Sequence, residues 1–92
     1  RALRVLQLEA MLAEARLEEA RKAAAETGKS ESEIAGIVEA ARIARERCHR
    51  AEIEAALRNL QRQKKLLALG SAHKSDVNRA EEKLAELQRP EN

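Results

Sequence analysis

Residues 34–55, IAGIVEAARIARERCHRAEIEA, decide the fold. Within them Ile34, Ile37, Ala41, Ala44, Cys48, Ala51 and Ala55 recur at spacings that alternate three and four. That period belongs to one seam of an α-helix packed along another helix, and it is foreign to the two-residue alternation of a strand. Most of the seam is alanine, so its helix is suited to a close approach between axes, whose separation follows the size of the side chains at the contact.

A partner for the seam lies upstream, where Leu3, Leu6, Ala10, Ala13, Leu17, Ala20 and Ala24 repeat the same spacing. Between the two rows stands Thr27-Gly28-Lys29-Ser30-Glu31-Ser32, with a glycine where a helix end favours positive φ and serines able to cap the next helix. Gly70-Ser71-Ala72-His73-Lys74-Ser75-Asp76 is a second break of the same kind. The sequence therefore predicts helix 1 from about Ala2 to Glu26, helix 2 from about Glu33 to Leu69, and helix 3 from about Asp76 to Gln88, ended by Pro90. Helix 2 holds Gly36 near its start but no proline, and at 1.5 Å per residue it would run roughly 55 Å.

The short first break makes helices 1 and 2 an antiparallel hairpin. Beyond Ala51 the apolar positions of helix 2 move to another face, with Ile53, Leu57, Leu60 and Leu67 together while Leu66 and Leu69 resume the earlier one. Helix 3 can cover part of this half through Val77, Ala80, Leu84 and Leu87. The expected fold class is all-α: a three-helix antiparallel bundle or coiled coil, one domain over residues 1–92, with a long central helix shared by two hairpins.

Composition agrees with that class. Hydrophobic residues make up 43% and charged residues 37% of the 92, the mixture typical of long helices, and Phe, Tyr and Trp are absent. Without rings, which contribute much of the buried area of most cores, this core must be thin. The net charge is +2, from 18 basic and 16 acidic residues interleaved along the chain. No field of one sign results, which argues against nucleic acid and against an anionic membrane as partners. A single cysteine excludes an intrachain disulfide, and neither a leader nor an apolar run of about 18 residues is visible, so a reducing, cytoplasmic setting is the expectation for the chain in a cell.

Three constellations invite a chemical reading. Cys48 and His49 could be a nucleophile and its base, but neighbours on a helix point about 100° apart, and a cysteine in a small-residue seam fills space. Glu46-Arg47-Cys48-His49 has the Glu-x-x-His spacing of carboxylate-bridged metal bundles, which need a second such motif and two further glutamates facing inward. Here Glu46 and His49 lie opposite the alanine seam beside Arg45 and Arg50, and the other histidine, His73, falls in the second break. Arg42, Arg45, Arg47, Arg50, Arg58, Arg62, Lys64 and Lys65 could suggest nucleic-acid contacts, but helical spacing scatters them around the axis among Glu39, Glu46, Glu52 and Glu54. Pairs four residues apart, Glu18 with Lys22, Glu46 with Arg50 and Glu54 with Arg58, fit a solvated surface. Phosphate loops, nucleophile elbows, His-Glu-x-x-His and Cys-x-x-Cys are all missing. No catalytic, cofactor-binding or metal-binding residues, no cofactor and no small-molecule substrate are expected, and the chain does not read as an enzyme.

Capped helices, short glycine-punctuated loops and binary patterning over the whole chain resemble a de novo designed helical protein. Cys48, Met11, the arginine-rich surface and alanines where leucines are usual would fit a design assembled from natural helical fragments. Leu66-Leu67-Ala68-Leu69-Gly70, with Asp76-Val77 and Leu84 to Leu87, also resembles the helical hairpins with which some Rab effectors hold a small GTPase. The first resemblance implies a structural scaffold with no natural biochemical function. The second implies a coiled-coil interaction module that binds a partner helix or small GTPase.

Helix 1 carries a second apolar strip, Val5, Leu8, Leu12 and Ala15, on the side away from its row facing helix 2. One neighbour cannot cover both sides, and the return path of helix 3 follows the far half of helix 2. Self-association through helix 1, most simply a two-fold homodimer, is the expected way to cover it.

Overall fold

The computed structural model of the protein describes residues 2–90. The fold is all-α, a helical bundle in which α1 packs on α2 and α2 on α3. Helix α1 is Ala2–Thr27, α2 is Ala35–Ala68 and α3 is Lys74–Gln88, with a single turn of 3-10 helix, Glu31–Ile34, leading into α2. Contacts gather the chain into two compact units, residues 1–48 and residues 49–92, and α2 contributes to both.

The two connections are built alike. Gly28 and Gly70 take φ near +76° and +77°, the left-handed conformation that ends a helix without a Cβ clash. Beyond each glycine the next amide returns to the helix just ended: Lys29 N–H donates to the Ala24 carbonyl at 2.9 Å and Ser71 N–H to the Leu66 carbonyl at 2.8 Å. A carboxylate then covers the start of the next helix, with Ser30 N–H donating to Glu33 at 3.3 Å and His73 N–H donating to Asp76 at 2.9 Å. Helix α3 thus starts two residues earlier than its apolar pattern indicates. Asp76 is the third residue of the helix rather than its cap, and His73, placed in a loop by sequence, occupies the N-cap position.

In the first unit the row of α1 holds, with Leu17 and Ala24 buried and Ala10, Ala13 and Ala20 half-buried. On α2, Ile34 and Ala41 are buried, Ala41 completely, and Ala44 and Cys48 are half-buried. Ile37 departs from the expected seam: it is 38% exposed, while its neighbour Val38 is half-buried. The α1 residues on the Ile37 side include Ala20 and Ala23, and methyl groups do not reach far enough to close over an isoleucine side chain.

In the second unit Leu60 of α2 meets Val77 and Ala80 of α3, with Leu67 and Leu84 packed against them. These are the residues the apolar shift after Ala51 assigns to this hairpin. Leu57, which spacing groups with them, remains exposed, and so does Leu69, which spacing returns to the earlier face, at 78%. Leu69 lies in the turn after α2 has ended, where it no longer follows the helical phase.

Candidate interaction surface

The first unit has two unlike sides. Along one, charges link the helices: Arg21 lies 3.6 Å from Glu31, and Arg45 of α2 donates to Glu14 of α1. Arg42 on the same side of α2 binds Glu39 and Glu46, and the hydrogen bond to Glu39, followed by its charge, holds the guanidinium even more firmly protonated than usual. The opposite side is an open groove of about 490 Å³ lined by Ala13, Ala20 and Ala23 of α1 and by Gly36, Ile37 and Ala40 of α2, with Arg16 and Glu19 at its rim. Small residues make the groove: four alanines and Gly36 leave the space beside the seam unfilled.

The outer face of α1 is apolar as well. Val5 is 54% exposed, Leu8 47%, Met11 63% and Leu12 51%, and Ala15 is exposed beside them. Leu12, Arg16, Glu19 and Ala23 follow at spacings of four, three and four, so the strip and the groove rim lie on one helical row. Apolar residues occupy the N-terminal half of this row, and Arg16 and Glu19 interrupt it. Met11, absent from the strip as spacing defined it, is the most exposed of its large side chains. Its signal is its position three residues after Leu8, on the edge of the strip.

The residues singled out for chemistry do not converge. Cys48 is half-buried rather than buried. His49 is exposed, Glu46 accepts a hydrogen bond from Arg42 at 2.8 Å, and His73 caps α3. Among the described residues no three His, Cys, Asp or Glu side chains gather as metal ligands. Among the described carboxylates Asp76 has a displaced titration: the His73 backbone N–H, and then the Arg79 guanidinium, hold it below the usual carboxylate range. The first is a helix-capping contact, and the second is an ion pair between residues three apart at the start of α3. No helix among the described residues is long and apolar enough to cross a membrane.

A patch of aliphatic side chains with a few charges at its edges has the chemistry of helix packing, and it offers neither a nucleophile nor a convergent set of polar groups to orient a small molecule. Comparisons of the chain with protein-family models, with curated proteins and with solved structures found no match.

Proposed function

We propose that this chain is a structural helical module of the de novo designed kind, whose activity is coiled-coil association with a second copy through the outer face of α1 and not catalysis. The exposed strip Val5, Leu8, Met11 and Leu12 carries the reading. Burying a large aliphatic side chain is worth about 1.5 to 3 kcal/mol, so a wet strip of this size favours association. Among the described residues positive φ is confined to Gly28 and Gly70, both at helix ends.

Sedimentation equilibrium over a concentration series tests the proposal. The expected result is a reversible dimer, abolished in the variant Leu8→Glu with Leu12→Glu while its circular dichroism stays helical. A strict monomer at about 1 mM chain, where even a millimolar Kd would show, overturns the association. Unfolding of the double variant would instead assign the strip to the chain's own core.

A GTPase-holding role for the second hairpin has less support. Leu67, Val77 and Leu84, which carried that resemblance, are committed to the packing between α2 and α3.

A further inference from the structure

The self-association proposed above has a direction that the charges around the strip specify. We infer that two copies pair antiparallel through α1 around a two-fold axis near Ala10, with Val5 opposite the partner's Ala15 and Leu8 opposite the partner's Leu12. This inference rests on the strip being the surface through which the chain associates.

The row beyond Ala15 continues as Glu19 and Lys22, four and seven residues further on. A parallel, in-register pair would set each of these against its own copy in the seam, where like charges repel. An antiparallel pair centred near Ala10 avoids both clashes, because only residues 5–15 face their own kind and the polar half of each α1 runs past the start of the other.

The flanks agree. On helical geometry the strip is bordered on one edge by Arg4, Met11 and Glu18, and on the other by Glu9 and Arg16. In the antiparallel arrangement Arg4 faces the partner's Glu18, twice by symmetry, and Met11 faces the partner's Met11. The opposite edge brings Glu9 to the partner's Glu9, the one unfavourable contact, against two favourable ion pairs and an apolar one. The parallel alternative also forms two pairs, Arg4 with the partner's Glu9, but it retains the Glu19 and Lys22 clashes inside the seam. Three large aliphatic residues and a methionine per copy fall short of the roughly 800 Å² each partner gives to a standard interface, so the dimer is of the weak, reversible class.

Disulfide trapping reads the direction. In a Cys48→Ala background, Val5→Cys and Ala15→Cys chains are incubated separately and mixed, under oxidised and reduced glutathione, with sedimentation equilibrium run on the reduced samples. A disulfide needs Cα atoms within about 7 Å, and the ten residues from Val5 to Ala15 span about 15 Å along a helix, so the parallel and antiparallel pairs are well separated. The expected result is cross-linked dimer only in the mixture. Cross-linking of Val5→Cys with itself would establish the parallel pair and overturn this inference while leaving the association intact. A monomer in sedimentation with no cross-link in any sample would overturn the association as well. As an independent arm, Arg4→Glu should weaken the dimer about tenfold and Arg4→Glu with Glu18→Arg should restore it. Weakening by Arg4→Glu that Glu9→Arg rescues, and Glu18→Arg does not, would again indicate the parallel pair.

Discussion

The hairpin of α1 with α2 and the hairpin of α2 with α3 are joined by the same device and held by different side chains. Each loop pairs a left-handed glycine with an acid at the third helical position, Gly28 with Glu33 and Gly70 with Asp76. Between the helices, however, the first unit buries alanine around Leu17, with Ala41 completely closed off, whereas the second centres on Leu60 and Val77. A loop therefore sets where helices turn, and the seam sets how they fail. A leucine-centred contact is most sensitive to loss of volume, and an alanine-centred one to its gain.

The largest effect should come from truncation in the second hairpin. Leu60→Ala is expected to destabilise it by about 2 to 4 kcal/mol, read from urea unfolding, because it empties the centre of a small cluster. If the loss were under half a kcal/mol, the second hairpin would not depend on its leucine. Enlargement in the first hairpin comes next: Ala41→Leu should cost about 1 to 3 kcal/mol, since the site offers no free space and the axes must separate. An unchanged midpoint there would erase the contrast between the two seams.

The loops should behave alike, which is the other half of the comparison. Gly28→Ala and Gly70→Ala should each cost about 1 to 2 kcal/mol, and nearly equally, because a Cβ at either glycine meets nothing within 4 Å and only the positive φ is penalised. A much larger loss at one of them would reveal a packing role specific to that loop. The smallest effect separates the hairpins through acid. Asp76 has a lowered pKa in the folded chain, so its contribution to the start of α3 is complete above the ordinary aspartate value near 3.9 and disappears as pH falls through its lower folded value. Carboxyl carbon chemical shifts against pH should show this midpoint, and in Asp76→Asn the low-pH loss of α3 helicity should vanish. An Asp76 midpoint at or above 3.9 would remove the capping interpretation.

Local rules carried most of the secondary structure. Glycine's tolerance of positive φ, the capping acids and the three-four repeat depend only on neighbours in the chain, and they placed all three helices and both turns to within about two residues. The same repeat identified Leu17, Ala24, Ile34, Ala41, Val77 and Ala80 as interior positions, since helical phase alone brings them to one face. It also isolated the outer strip of α1, Val5, Leu8 and Leu12, because a face with no matching row elsewhere can be read from periodicity.

Reach across the gap between helices was decided only in three dimensions. Phase puts Ile37 in the seam, yet the facing alanines are too short to cover it, so it lines an open groove. Leu69 has an apolar side chain and the right spacing, but the helix stops one residue before it. Cys48 shares the seam's phase yet is only half-buried, and Arg45 finds Glu14 across a separation of 31 residues that no local spacing rule contains. Periodicity is a property of one helix and legible in its residues, whereas coverage depends on the length of side chains contributed by another.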